Sequence, residues 1–347
     1  MGGRNLLAKA GELTRGMDAA SAGRVLYHLA RQYHQRGEWP LAAETFETLV
    51  DRCPNDPLSG EALVWLVQYY ASIEAAWRAM GTQRTVTQSV GRPSQSTLSL
   101  DPTLLEDRPA KAAEFARRLR LMRPELAAEP EIGFPLAVAD RMRGLPGQAE
   151  RFLLTQRRRE TQDAWWSCAQ GEGWLAAPSG APPKPVLRCA RAAAKPKLDG
   201  KLDDPVWQAA PAAVMRGQQD DQNRPASLKM AYDEEYLYFA IECRREPGIA
   251  YAETPGSRPR DADLSGRDRV DILLDLDRDF VTFYRLAVDH RGWTADECWG
   301  DRSWNPAWFV AHAVDDETWT IEAAIPLDQL TGRYPRPGDA WALGSQR

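Results

Sequence analysis

The stretch from residue 293 to residue 308 concentrates tryptophans among polar side chains. A tryptophan ring offers a flat apolar face to the C–H surface of a sugar, while polar groups hydrogen-bond the sugar hydroxyls. The sequence therefore predicts carbohydrate contacts by three tryptophans and two polar residues: Trp293, Trp299, Trp304, Arg302 and Asn305. Trp308 falls on a predicted strand and is interpreted as a core residue.

Three carboxylates follow one another closely after a predicted strand. Asp275, Asp277 and Asp279 alternate over five residues, and hard cations such as Ca²⁺ prefer clustered oxygen ligands. These residues are a candidate site for a structural calcium ion, although the glycine and distal glutamate of an EF-hand are missing. A solvated acidic turn is the interpretation that the sequence favours over the calcium site, and no cofactor is required.

The sequence carries none of the short motifs that mark common enzyme sites. HExxH, GxSxG and P-loop patterns are absent, and there is no CxxC pair or histidine cluster of a usual zinc site. We predict a non-catalytic protein, with a catalytic domain beyond Arg347 as the alternative. Cys168 and Cys189 flank a proline-rich segment and form a candidate disulfide for an exported protein.

The bulk composition limits the classes of partner. The chain has 347 residues and a net charge of -5, which gives no reason to expect nucleic acid. No run approaches the ~18 consecutive apolar residues of a membrane span. Residues 1–16 lack the apolar core of a signal peptide. The compartment stays open between the cytoplasm and, if the start of the chain is missing, an extracytoplasmic location.

The N-terminal half has helical periodicity. Leu26, Ala30 and Tyr33 lie on one face of a helix that Gly37 ends. The spacing resembles one tetratricopeptide repeat at five positions: Tyr33, Gly37, Ala42, Phe46 and Pro54. Further helical signals recur as far as residue 156, which predicts a helical repeat domain over residues 5–160. Arrays of this kind commonly present a concave surface to a protein partner.

After residue 195 the apolar period changes to two. Apolar and polar side chains alternate in four segments: 236–243, 270–275, 308–314 and 319–325. A further segment, 280–289, is rich in strand-forming residues. Short strands separated by Asp, Gly and Asn turns predict an antiparallel β-sandwich over residues 195–347. Residues 161–194 are predicted to form a connector rich in proline and tryptophan, so the whole chain is a multidomain α plus β fold.

Five segments of the C-terminal half resemble, in order and spacing, signatures of the family 9 carbohydrate-binding modules. They are Leu198–Trp207, Leu228–Tyr238, Asp268–Asp275, Trp319–Pro326 and Pro337–Trp341. The resemblance implies a β-sandwich, structural calcium, and sugar chain ends held between two tryptophans. It places Asp271 at the acidic sugar-contacting position, where the family usually has Glu.

Other parts of the family's sugar site have no counterpart at the expected positions. Ser265 and Gly266 stand where the first stacking tryptophan is expected, and residues 286–288 contain no sugar-gripping arginine. The second tryptophan falls beyond Arg347, and we expect the last strands to be missing. The resemblance therefore implies the fold more directly than it implies the family's own sugar site.

These features favour a non-catalytic carbohydrate-binding protein. Its β-sandwich would bind a polysaccharide or oligosaccharide, and its helical repeats would bind a protein partner. Two alternatives stay open. One is an interaction scaffold whose sandwich has lost sugar binding, and the other is the non-catalytic part of a larger carbohydrate-active enzyme.

Overall fold

The computed structural model describes residues 14, 16–84, 102–215, 225–246, 248, 251 and 258–347. The chain divides into two compact units. The helical unit comprises Met1–Lys184, Asp275–Phe283 and Cys298–Ser303. The β unit comprises Pro185–Leu274, Tyr284–Glu297 and Trp304–Arg347. Two short segments of the C-terminal half thus belong to the helical unit, which a division into linear ranges does not anticipate.

Helices account for most of the helical unit. Its described residues form α1 (Ala19–Gln35), α2 (Trp39–Arg52), α3 (Pro57–Ala71), α4 (Ile73–Arg84), α5 (Pro102–Met122), α6 (Pro124–Ala127), α7 (Pro130–Met142), α8 (Pro146–Arg157) and α9 (Ala164–Ala176). The side chains of Asp18, Asp56 and Asp163 accept N-cap hydrogen bonds. Proline occupies the first turn of six of these helices, where its missing N–H costs nothing.

The predicted apolar faces are buried. Leu26, Ala30 and Tyr33 are at most 2% exposed, and α1 packs on α2 while α3 packs on α5 and α7. Helix α9 lies within residues 161–194, for which the sequence predicted a connector rich in proline and tryptophan and no helix. The helix forms because Asp163 caps it and the proline cluster begins only at Pro178.

Two sheets build the β unit. The strands are β1 (Ala190–Arg191), β2 (Ala213–Met215), β3 (Ala226–Tyr232), β4 (Tyr236–Arg244), β5 (Arg269–Asp275), β6 (Tyr284–Asp289), β7 (Thr294–Cys298), β8 (Phe309–Val314), β9 (Thr318–Pro326) and β10 (Ala342–Gln346). The first sheet has the order β1-β3-β4-β9-β8, with β2 also paired to β3, and the second has the order β10-β5-β6-β7. The predicted α plus β fold with an antiparallel β-sandwich is confirmed, apart from a short parallel pairing of β1 with β3.

One predicted strand is shorter than expected. The segment 280–289 forms a strand only from Tyr284. The carboxylates of Asp275 and Asp279 accept hydrogen bonds from the N–H groups of residues 278–282, which holds those residues in turns. Residues 278–282 therefore cannot pair with a neighbouring strand, although some of them have strand-forming side chains, because their backbone N–H groups are already bound to carboxylates.

Strands β4 and β9 form the centre of the first sheet. Phe239 and Ile241 pair with Ala323 and Ile321, and all four are at most 1% exposed. On the opposite face, Trp207 from the short helix α10 (Pro205–Ala209) packs over the sheet. Both faces of this sheet are therefore covered at its centre.

Two simpler expectations can be compared with the structure. Among the described residues, no helix is long and apolar enough to cross a membrane. Cys168 and Cys189 are free thiols, so the candidate disulfide is wrong. Cys168 lies on α9, and its sulfur is 3.6 Å from the Lys184 Nζ atom.

Candidate functional site

Trp299, a predicted sugar-binding residue, lies in an aromatic cluster of the helical unit. Its ring stacks on Trp65, with centroids 5.6 Å apart and planes at 17°. The same ring is 5.8 Å from Trp39 and 5.4 Å from His34. Trp299 also has a positive φ of 46°, a conformation that costs energy for a residue with a side chain. Packing therefore accounts for the position of this ring.

The other predicted sugar contacts are spread over the two units. Trp304 is 6% exposed and stacks on Tyr284 in the β unit, with centroids 4.5 Å apart. Asn305 is exposed and belongs to the same unit, whereas the exposed Arg302 belongs to the helical unit. The predicted sugar-binding residues therefore do not all belong to one unit.

Asp271 is buried and forms ion pairs with two arginines. It is 3% exposed, and its two carboxylate oxygens bond to Arg269 at 3.1 Å and to Arg285 at 2.5 Å. A carboxylate so engaged is satisfied by the protein itself. Its place as a sugar contact stays a prediction.

A long groove crosses the β unit, and Trp293 lies in its wall. The groove has a volume of about 1290 Å³. Strand β8 lines it with all six of its residues, and the β6–β7 turn lines it with residues 290–293. We call this feature the interlayer groove, since it lies beside β8, the terminal strand of the first sheet, and a turn of the second.

Arg291 and Trp293 form one wall of the interlayer groove as a stacked pair. The guanidinium carbon of Arg291 lies 3.9 Å from the centroid of the indole ring. The carboxylate of Asp289 accepts hydrogen bonds from Nε and Nη2 of Arg291, at 2.8 and 2.6 Å. These bonds hold the guanidinium that lies over the indole, and the indole also packs against the apolar cluster of Ala262, Leu264 and Ala287.

His290 lines the same groove and is almost fully buried. It is 1% exposed, and neither ring nitrogen has a hydrogen-bond partner in the part of the chain that the structure describes. Its ring meets the edge of Tyr251, with centroids 4.9 Å apart. Burial lowers the pKa of the imidazole, so the ring is neutral near pH 7. No periodicity or motif in the sequence marks this residue.

The predicted metal-binding aspartates lie together in the helical unit and are joined by a fourth carboxylate. Glu74, Asp275 and Asp277 are buried and bring ligand oxygens within 4.8 Å of one another. Asp279 is 0% exposed. Glu74 accepts a hydrogen bond from the Leu276 N–H at 2.5 Å, and Asp277 accepts one from the Ile73 N–H at 2.7 Å. We call these four carboxylates the acidic cluster.

The acidic cluster concentrates negative charge away from water. Burial raises the pKa of all four carboxyl groups, and their mutual repulsion raises each further. Arg141 and Arg278 come near, but both pair with Glu172. An all-oxygen donor set of this charge fits a hard divalent cation. Glu74 could not be assigned from sequence, because it lies about two hundred residues from the aspartates it joins.

The geometry thus defines an antiparallel β-sandwich that carries one large groove, accompanied by a helical unit. No protein family model and no curated protein matches the sequence. Among solved structures, the chain is similar to a carbohydrate binding module family 9 from Caldicellulosiruptor kristjanssonii in complex with cellotriose. That similarity has 16% identity and a TM-score of 0.33, covering 46% of this chain and 75% of the other. The module in complex with glucose gives 18% identity, a TM-score of 0.31, and coverage of 40% and 66%.

Proposed function

We propose that the β unit binds a polysaccharide or oligosaccharide and has no catalytic role. The observation that carries the proposal is the interlayer groove, which is long, concave and walled by an indole held by Arg291. Sugar sites combine an aromatic surface with a few fixed polar groups. The sequence signatures of the β half, which resemble those of carbohydrate-binding modules, support the same class of ligand.

A glycan array with the full chain tests this proposal. We expect binding to one or a few related glycans, accompanied by a change in tryptophan fluorescence when the soluble oligosaccharide is titrated. Trp293→Ala should weaken that binding, while Trp299→Phe, which keeps an aromatic ring in the helical unit, should not. An array on which no glycan is bound above background would reject a carbohydrate-binding role.

We further propose that the helical unit binds a protein partner. A cleft of about 340 Å³ is lined by Tyr27, Trp65, Glu61, Glu129 and Glu131, with Arg31 as its one lining cation among the described residues. Aromatic faces beside carboxylates suit a lysine or arginine side chain. The tetratricopeptide-like spacing of α1 and α2 supports a partner-binding role for this unit.

Binding of basic peptides provides a direct test of the cleft. A library of fluorescent peptides should contain basic members that bind the protein, with affinity that falls as salt rises. Reversing two charges, with Glu129→Lys and Glu131→Lys, should abolish this binding. The matched change Glu150→Lys, at a position that does not line the cleft, should leave it intact. Equal loss in both proteins would contradict the assignment of the cleft.

The acidic cluster is proposed to bind calcium as a structural ion. Asp275, Asp277 and Glu74 would supply ligands, and Asp279 would support the loop through its bonds to residues 281 and 282. A bound divalent cation offsets the repulsion among buried carboxylates. The site would stabilise the helical unit without contacting a sugar.

A further inference from the structure

The interlayer groove exposes a face of β8 that the sheet register assigns to the interior. Val310, His312 and Val314 pair with Ala323, Ile321 and Trp319. Paired residues share a face of the sheet, and those three partners are at most 1% exposed. Val314 is nevertheless 37% exposed, His312 is also exposed, and Val310 is only half-buried.

An interior face left open at the end of a sheet is unusual for a closed sandwich. Apolar side chains on this face would be covered if the two sheets met along β8. Here the groove takes that space and runs the full length of the strand. Its volume exceeds the ~300–1,000 Å³ of common small-molecule pockets, so an extended ligand fits it better than a single small ring.

His290, in the wall of the groove, is matched to hydroxyl groups. A neutral imidazole has one donor nitrogen and one acceptor nitrogen, and a hydroxyl group can use both kinds of partner. His290 is 1% exposed with both nitrogens unpaired among the described residues, which is costly unless a ligand completes the bonds. A buried unpartnered imidazole in a groove wall therefore points to a hydroxyl-rich ligand.

The charges of the described residues that line the groove balance. Arg291 is neutralised by Asp289, and among those residues the other two arginines, Arg245 and Arg258, are matched in number by two aspartates, Asp315 and Asp316. A groove of this kind offers no net attraction to an anionic chain. The ligand it suits is uncharged.

We propose that the interlayer groove binds a segment of a neutral oligosaccharide chain along β8, with His290 hydrogen-bonding its hydroxyls. This inference rests on the proposed carbohydrate-binding function and places the site on residues different from Trp299, Trp304, Asp271, Asn305 and Arg302. Val310 and Val314 of β8 contact the apolar faces of the sugar rings. His290 and Trp293 hold the chain from the opposite wall.

Calorimetric titration of the full chain with neutral and acidic hexasaccharides tests the site and the ligand class together. Cellohexaose, xylohexaose and mannohexaose represent the neutral class, and hexagalacturonate represents the acidic one. We expect at least one neutral chain to bind and hexagalacturonate to bind more weakly. His290→Phe keeps a ring of similar size but removes both nitrogens, and should weaken binding about tenfold or more.

Further variants separate loss of the site from loss of the fold. Val310→Arg places a long charged side chain in the groove from a half-buried position and should also weaken binding. Tyr334→Phe, a change at a residue that is 62% exposed and does not line the groove, should bind like the wild type. Circular dichroism should show the same melting curve for any variant that is interpreted.

The outcomes separate the proposal that the groove is the binding site from the proposal that the protein binds carbohydrate. Neutral-chain binding that survives both His290→Phe and Val310→Arg would overturn the groove assignment and leave carbohydrate binding standing. Preferential binding of hexagalacturonate would overturn the neutral ligand class. If neither class binds to the wild type and the glycan array is also blank, carbohydrate binding itself is wrong.

Discussion

The buried carboxylate of Glu322 accepts a hydrogen bond from the indole N–H of Trp207, at 2.7 Å. The other carboxylate oxygen accepts the backbone N–H groups of Asp199 and Gly200, at 3.0 and 2.8 Å. Glu322 is 0% exposed, and burial raises the pKa of this carboxyl group. These three donors thus hold α10 and the segment before it against the centre of the first sheet.

Trp207→Phe should destabilise the β unit by removing one of those donors. A phenyl ring fills only part of the site, so the loss combines the hydrogen bond to a buried acidic group, about 1–3 kcal/mol, with the cost of the small cavity that is left. Urea denaturation monitored by circular dichroism measures the change in the free energy of unfolding. Tyr334→Phe is the control, and a Trp207→Phe protein as stable as this control would show that the bond contributes little.

Asp296 should make the stability of the β unit depend on pH. Its Oδ2 accepts a hydrogen bond from the Trp308 indole at 3.3 Å, and its Oδ1 has no partner among the described residues. Burial raises the pKa of this carboxyl group to about 7, with Asp261 raising it further and Arg260 and Arg258 opposing. Between about pH 4 and pH 7, Asp296 therefore keeps its proton in the folded state, whereas in the unfolded state it has released it.

The sign of that dependence follows from the raised pKa. The contribution of Asp296 to stability is complete below the unfolded pKa of about 4 and is lost as pH rises to about 7, by at most ~1.4 kcal/mol per pH unit. Asp296→Asn should remove this loss, so the variant gains stability over the wild type between pH 5 and pH 8. Thermal melts at both pH values measure the gain, and a constant difference between the proteins would refute the assignment.

Calcium should stabilise the protein through the acidic cluster. Millimolar CaCl₂ should raise Tm relative to EDTA, since a ligand that binds only the folded state adds about 2.7 kcal/mol at a hundredfold excess over Kd. Asp277→Asn should lose most of this response, whereas the exposed Asp203→Asn should keep it. An identical calcium response in all three proteins would place the ion elsewhere.

The sequence predicted the fold better than it predicted the candidate sites. Alternation in β4, β5 and β9 predicted the strands of the sandwich, and that signal is local, whereas the cover on the second face of β4 and β9 comes from a distant segment that includes Trp207. The sites depend on contacts between segments that are distant in the sequence. Such contacts bury the His290 nitrogens without a partner among the described residues and bring Glu74 close to Asp275. No spacing rule reports such contacts, and the tryptophan-rich stretch alone could not show that Trp299 packs on Trp65 while Trp293 lines a groove.

Two tryptophans of that stretch should therefore respond in opposite ways. Trp299→Ala removes a ring packed among Trp39, Trp65 and His34, and should cost about 3 kcal/mol in the stability of the helical unit while leaving glycan affinity unchanged. Trp293→Ala should weaken glycan binding with a smaller effect on stability. Melting curves and fluorescence titrations on both proteins measure the pair of effects. Loss of binding in Trp299→Ala with an unchanged melting curve would restore Trp299 as a sugar contact.

Gly200 should not tolerate a side chain, because its backbone lies against β8. Its φ is +80°, and a Cβ atom there would sit 2.6 Å from the carbonyl carbon of His312. Gly200→Ala thus combines backbone strain with a clash against backbone that cannot rotate away, and we expect a loss of more than about 2 kcal/mol. Gly180→Ala is the matched control, since its φ is +66° but no atom of the described residues lies within 4 Å of an added Cβ. The difference between the two variants in urea denaturation isolates the clash, which predicts a displaced β8 and, with it, weaker binding in the interlayer groove.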